Sequence, residues 1–235
     1  MQIALAQVSS VRGDIAANLV KHRHWIEAAG ERGADLVVFP ELSLTGYWPS
    51  LAESLATDQD DPRLDALQAA SDRAGCIVAA GLPTRTDSGR RISMVVFTPE
   101  MPRRTYSKQL LHSDELPFFE HGADSLVLDL AGLRIAPAIC FESFQPEHAA
   151  AASASGAQLY MTSVAKPQHS LEDARTYLAE LAKDRAMAVS IVNAVGPSEE
   201  FPTAGCSAAW DASGACLGQL GSEEEELLLF GLDQD

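Results

Sequence analysis

The chain has 235 residues, 46% of them apolar and 21% charged, which is enough to bury a sizeable core without disulfides or metals. Its formal net charge is −16, and such a surface repels phosphate backbones and anionic lipid, so neither nucleic acid nor a membrane is an expected partner. No apolar run reaches the roughly 18 residues that cross a bilayer. The opening residues turn polar at Ser9, a strand pattern and not a leader. Cys76, Cys140, Cys206 and Cys216 have no paired zinc spacing, which reads as reduced thiols in the cytoplasm, with no metal and no cofactor.

In chain order, residues 2–8 read as a strand. Asp14 caps a predicted helix running to about Gly30, with Ile15, Leu19, His22, Ile26 and Ala29 on one stripe. Residues 35–40 read as a short buried strand ending at Pro40-Glu41. Residues 60–74 read as a helix, with Pro62 in its first turn and Gly75 just past its end. Strands follow at 76–81 and 92–97, separated by a turn at 86–89, and residues 105–107 lead into Lys108. Residues 126–130 and 133–139 flank Ala131-Gly132 as a hairpin. After Cys140 come a helix (146–155), a strand (158–162), a helix (171–187) and a strand (189–194). The last third holds short strands at 205–210 and 226–230, the latter finishing a sheet or reaching a partner subunit. This alternation predicts one α/β domain over 1–235 with mixed sheets.

The chemistry is carried by Glu41, Lys108 and Cys140, each where a strand meets a loop, the usual place for α/β sites. Cleaving an amide needs a nucleophile, a base that becomes an acid, and positive charge at the oxyanion. A thiol, a carboxylate and an ammonium supply one of each. Any of them alone has a bland reading: free cysteines are usually buried hydrophobes, and glutamates and lysines usually sit at the surface.

Three segments give the set its meaning: Phe39-Pro-Glu-Leu-Ser-Leu-Thr-Gly-Tyr47, Tyr106-Ser-Lys-Gln-Leu-Leu111 and Ile139-Cys-Phe-Glu-Ser143. They resemble, in order and spacing, the signature segments of the carbon–nitrogen hydrolase (nitrilase) superfamily. Later segments (155–160, 184–186, 192–193 and 205–207) extend the likeness over nearly the whole chain. The resemblance implies an α-β-β-α sandwich with two mixed sheets flanked by helices, pairing into a homodimer or a higher homo-oligomer. It also implies Cys140 as nucleophile, Glu41 as general base, and Lys108 with the Phe141 backbone N–H at the oxyanion. Glu115 is the expected fourth member, orienting the lysine, with Glu120 as the competing choice.

The segment after the cysteine departs from the commoner family pattern, because Phe141-Glu142-Ser143-Phe144 brings no arginine. Phe141, Glu142, Tyr47, Trp48 and Val164 are the candidate substrate-binding residues, with Glu142 balanced between substrate and local backbone donors. Cys76, Cys206 and Cys216 read as buried hydrophobes, His112 and His121 as polar loop residues, and Glu223 to Glu226 as a solvated turn. The expected activity is metal-independent hydrolysis of a small non-peptide amide or ω-amide. The alternatives are a nitrilase or N-carbamoyl hydrolase on the same residues, an acyltransferase, or a non-catalytic binding module.

Overall fold

Alternation of side chains along the strands builds three buried layers. In β1 (Gln2–Gln7), Ile3 and Leu5 face an inner core, while Ala4 and Ala6 face an outer one. The same alternation runs through β2 (Leu36–Val38), β3 (Ile77–Arg85) and β4 (Arg90–Phe97). The outer core is closed by α1 (Ile15–Glu31), whose buried residues include the expected stripe. A helix α3 lies beside it; the short α2 (Ala52–Leu55) precedes α3 (Asp65–Ala74) in the chain. The structure, a computed structural model, describes residues 1–123, 127–130 and 132–233. Leu126 and Ala131 of the expected hairpin lie outside these.

The first sheet adds β5 (Arg104–Ser107) and β14 (Glu226–Gly231) in the order β14-β1-β2-β3-β4-β5. Its centre, β1-β2-β3, is parallel, and its flanks are antiparallel. The second sheet has the same plan. It contains β6 (Leu128–Leu130), β7 (Leu133–Ile139), β8 (Leu159–Val164), β9 (Ala188–Asn193), β12 (Ala208–Trp210) and β13 (Cys216–Gln219), in the order β13-β12-β9-β8-β7-β6. Here β7-β8-β9 is the parallel centre. Leu128, Ile135, Ile139, Met161 and Val192 meet Ile3, Val38 and Met94 between the sheets. Ala138, Tyr160 and Ile191 face α4 (Pro146–Ala154) and α5 (Leu171–Arg185) on the far side. This is the expected sandwich of two mixed sheets with helices outside.

Several boundaries differ from the sequence reading. The first turn of the second predicted helix is a separate 3₁₀ turn, Pro62–Leu64, which Asp61 caps through the Arg63 N–H. The β3–β4 hairpin is longer than expected, because its ends carry arginines and threonines instead of apolar residues. A small hairpin of β10 (Val195–Pro197) and β11 (Pro202–Ala204) stands apart from both sheets. Its prolines mask it in the sequence, since proline marks an edge or a break. Strand β13 is mostly exposed and carries no apolar pattern. β14 pairs with β1 and so finishes the first sheet.

Two expectations are corrected. Cys216 is exposed, and Cys206 is half-buried on a left-handed turn (φ 57°), so only Cys76 fits the buried-hydrophobe reading. The acidic run is not wholly solvated. Glu225 accepts from the Ser9 N–H at 2.9 Å and pairs with Lys21 at 2.5 Å, which anchors the run beside the end of β1.

The inner side of α1 also carries polar groups, and they hold the loop that follows β2. Asn18 donates to Val11 O and Leu44 O, at 2.8 and 3.0 Å. His22 is buried and stacked on Phe39 with ring centroids 4.1 Å apart. Its Nδ1–H donates to Asn18 O at 2.7 Å, and Nε2 accepts from the Ser43 hydroxyl at 2.9 Å, a tautomer fixed by the partners. Burial pushes its pKa down to about 4. The unfolded chain therefore binds more protons than the native one between about pH 6.5 and pH 4. The stabilisation is complete above the unfolded value and is lost as pH falls through the folded one, by about 3 kcal/mol in full. Melting temperature measured from pH 7 to pH 4 should fall more steeply for the wild type than for His22→Gln.

Candidate active site

Each catalytic candidate leaves the end of a strand. Glu41 follows β2 in the turn Phe39 to Thr45, where Ser43 N–H donates to Pro40 O and Thr45 N–H donates to Leu42 O. Lys108 follows β5 and keeps one more ladder bond, from its N–H to Ile92 O at 2.9 Å. Cys140 follows β7 and opens a 3₁₀ turn, Cys140–Phe144. Its φ of 47° lies in the left-handed region, and Leu42, next to Glu41, has φ 51°. For a side chain with a Cβ this conformation costs about 1–2 kcal/mol, so the surrounding packing must impose it.

The ammonium of Lys108 is wholly buried between two carboxylates. Nζ donates to Glu41 Oε1 at 2.8 Å and to Glu115 Oε1 at 2.6 Å. Burial opposes its charge, but Glu41, Cys140 and Glu115 outweigh that, and its pKa lies above the ordinary lysine value. Lys108 therefore stays protonated. Glu115 is fixed in turn: Oε1 accepts from the Tyr47 hydroxyl at 2.9 Å and Oε2 from the His112 N–H at 2.8 Å. Glu120 lies elsewhere, with its Oε2 on the Ser88 hydroxyl at the β3–β4 turn. The geometry thus brings Glu115, and not Glu120, to the lysine.

Glu41 Oε2 is buried without a regular hydrogen-bond partner among the described residues. Burial raises the Glu41 pKa well above the usual carboxylate range; Lys108 opposes this, Glu115 adds to it, and the Cys140 side chain interacts directly enough to lower it. A thiol near a carboxylate oxygen but off ideal geometry is the arrangement expected before substrate enters. Burial and the Glu41 charge push the Cys140 thiol up to about 12, against the pull of Lys108 and Lys166. Cys140 is therefore a thiol beside a carboxylate of raised affinity for protons.

The candidate substrate residues divide. Tyr47 joins the site through Glu115, and its ring lies 6.2 Å from that of Phe201. Trp48 packs under the Arg12 guanidinium at 4.4 Å. Phe141 is half-buried and meets His112 edge-on at 5.3 Å. Val164 is wholly buried in the outer cluster with Ala138, Tyr160 and Leu178. Glu142 is wholly buried and accepts from the N–H groups of Ile139, Gln109 and Leu110 and from the Tyr106 hydroxyl. No group of three or more His, Cys, Asp or Glu arranged to hold a metal occurs among the described residues.

Residues 2–235 match the carbon–nitrogen hydrolase family. The chain belongs to that family. Its reaction class is accordingly carbon–nitrogen bond hydrolysis. It is similar to an amidase from Nesterenkonia sp. AN1, whose glutamate-to-glutamine variant was solved with acrylamide added to the active-site cysteine. That match has a TM-score of 0.89 and 27% identity, covering 100% of this chain and 94% of the other. A cysteine-to-alanine variant of the same amidase, in complex with butyramide, matches with a TM-score of 0.90 at 27% identity, covering 99% of this chain and 90% of that one. Among curated proteins the chain is 28% identical to the glutamine-dependent NAD(+) synthetase of Thermotoga maritima over 100% of its own length, but spans only 42% of that protein. It is 30% identical to a protein of Pseudomonas protegens named hydrolase in pqqF 5'region, covering 100% of this chain and 83% of the relative.

Some positions that shape this hydrolase site escape motif reading. A Cβ on Gly81, in β3, would lie 2.4 Å from Leu42 N and 2.7 Å from Pro40 O, so the Glu41 turn rests directly on this glycine. A Cβ on Gly122 would lie 2.2 Å from Ser107 O, beside Lys108. Glycine inside a strand pattern is the signal that could have found Gly81, because it marks close backbone approach. Asn193, in one of the family-like segments, accepts from the Lys166 N–H at 2.8 Å and donates to Lys166 O at 3.1 Å, which holds the loop after β8. We expect Gly81→Ala to displace the Glu41 turn, lowering stability by about 1–3 kcal/mol and kcat/KM by about 10-fold or more. Thermal melts and steady-state kinetics on one preparation would measure both.

Proposed function

We propose that the protein hydrolyses a small carboxamide through a thioester on Cys140. The observation that carries this reading is the buried Lys108 ammonium held between Glu41 and Glu115, with the Cys140 thiol beside Glu41. Glu41 takes the thiol proton as the sulfur attacks the carbonyl carbon. The developing oxyanion lies against Lys108 and the Phe141 N–H. As the tetrahedral adduct collapses, Glu41 gives its proton to the departing nitrogen, releasing ammonia and leaving an acyl-cysteine. Water then attacks the thioester while Glu41 accepts its proton; the carboxylic acid departs and the thiol is restored.

The raised thiol and carboxylate pKa values favour proton transfer coupled to attack over a standing thiolate–lysine pair. Glu41 must be ionised to begin. The acid limb of kcat/KM should therefore lie above the ordinary glutamate range, at a pH where an isolated carboxylate is already fully charged. A pH–rate profile with its acid limb near pH 4 would contradict the role given to Glu41.

A second reading is supported by the NAD(+) synthetase relatives, whose names include glutamine dependence and of which this chain spans two-fifths (42%). Here the substrate is the side-chain amide of glutamine, and the released ammonia serves a second, ammonia-consuming activity. A panel of aliphatic amides, glutamine, asparagine, N-carbamoyl amino acids and nitriles, assayed for ammonia, separates the readings. Hydrolysis of an amide, with its loss in Cys140→Ala by at least about 10³-fold and an acyl adduct on Cys140 in intact-mass spectra, is the expected result. Wild-type turnover by Cys140→Ala rules the mechanism out. Turnover confined to nitriles or carbamoyl compounds rules the substrate out.

A further inference from the structure

Behind the Cys140 turn runs a chain of buried polar groups that the reaction steps do not use. Glu142 Oε1 accepts from the Ile139 N–H at 2.7 Å and the Tyr106 hydroxyl at 2.6 Å. Its Oε2 accepts from the N–H groups of Gln109 at 2.6 Å and Leu110 at 3.2 Å. Ile139 immediately precedes the nucleophile, and Gln109 and Leu110 immediately follow the lysine. One carboxylate therefore clamps the backbones of both catalytic segments, and the clamp crosses from the second sheet to the first.

The clamp has its own support. His148, on α4, places Nε2 2.9 Å from the Tyr106 hydroxyl and Nδ1 2.7 Å from the Tyr160 hydroxyl. The donors can be assigned by elimination. A carboxylate only accepts, so Tyr106 gives its proton to Glu142. The Tyr106 oxygen then accepts from the Nε2–H of His148. That tautomer leaves a lone pair on Nδ1, to which Tyr160 donates. Burial lowers the His148 pKa, in keeping with a neutral ring, and raises those of both phenols. Tyr106, Tyr160 and Glu142 are wholly or almost wholly buried, and the His148 side chain is 10% exposed.

We propose that His148 is a positioning residue for the nucleophile: through Tyr106 it holds Glu142 in the rotamer that clamps the Lys108 segment to the Cys140 turn. Without the Nε2–H donor, Tyr106 loses its tie to α4 and keeps Glu142 and the Gln109 side chain as partners, so its hydroxyl is held less firmly on Glu142. The carboxylate then bridges the two backbones less firmly, and Lys108 drifts relative to Cys140. A positional error of about 1 Å at such a site can cost on the order of 10²-fold in rate. The proposal rests on Cys140 and Lys108 acting together, as in the proposed function, but it can be tested without an amide substrate.

The test is the pH-dependent rate of Cys140 alkylation by iodoacetamide, followed by mass spectrometry of the Cys140 peptide, in wild type, His148→Phe, His148→Gln and Tyr160→Phe. Where an amide substrate is turned over, kcat and KM are measured alongside. His148→Phe should slow alkylation by about 10-fold and lower kcat while KM stays within about 2-fold. His148→Gln, which keeps an N–H donor for Tyr106, should recover most of that loss. Because the groups act in series, His148→Phe added to Tyr106→Phe should cost little more than Tyr106→Phe alone. A wild-type alkylation rate in His148→Phe, or equal losses in the Phe and Gln variants, overturns the proposal. Should His148→Phe not fold, Tyr160→Phe decides: alkylation slowed about 3-fold supports the chain, and an unchanged rate overturns it. Absence of amide turnover in the wild type would count against the proposed function alone, since the alkylation rates still report the clamp.

Discussion

A lysine ammonium with no access to water needs negative charge around it, and the arrangement of this site follows from that need. Lys108 meets it with Glu41 and Glu115, one from the turn after β2 and one from the loop after β5. Removing either partner would leave a buried charge under-compensated, a change that typically costs several kcal/mol. The pair therefore fixes the loops as much as the loops fix the pair. With both carboxylates ionised the cluster is net negative, and the thiol next to it keeps its proton. The lysine's affinity for its proton rests on the negative groups around it, whereas the cysteine's reluctance to lose one comes first from burial and then from the Glu41 charge.

Glu41, Lys108 and Glu115 come from the first sheet and its loops, whereas Cys140 comes from the second. The reaction depends on how the two sheets meet. The inner apolar core supplies area but little lateral register, because aliphatic contacts are not directional. Directional links cluster where the parallel strands end. Ser163 donates to Phe39 O at 2.9 Å, joining the ends of β8 and β2. Gln7, at the end of β1, accepts from both the N–H and the hydroxyl of Ser207 before β12. Glu142 makes a third link, from the Cys140 turn to the segment after Lys108. These bonds lie at the edge of the apolar layer, where water would otherwise compete, and buried polar groups there are costly if left unpaired.

Much of this was legible in the sequence, because burial leaves periodic marks. The α1 stripe read correctly, since four apolar or small residues and His22 recur at helical spacing and the helix covers one sheet face. The parallel strands read as short apolar runs because both their faces are covered. Glu41, Lys108 and Cys140 stood out through their segments, and each does follow the end of a strand. What stayed hidden has physical causes. The β10–β11 hairpin lacks a buried face and carries prolines. The role of Glu142 was undecided because its four donors come from residues at 106, 109, 110 and 139, and sequence distance hides their meeting. Gly81 was an unremarked member of a strand because its importance lies in what rests on it.

The protonated state of Cys140 also bears on chemical durability. Peroxides oxidise cysteine through the thiolate, climbing from sulfenic to sulfinic acid, the latter step seldom reversible. A cysteine whose thiol pKa is pushed up to about 12 offers almost no thiolate at rest. In the proposed reaction it becomes ionic only while Glu41 holds its proton and an acyl carbon is already within reach. Cys216, by contrast, lies exposed. An oxidant in the solvent therefore meets Cys216 first, while burial and the Glu41 charge keep Cys140 in its less reactive protonated form.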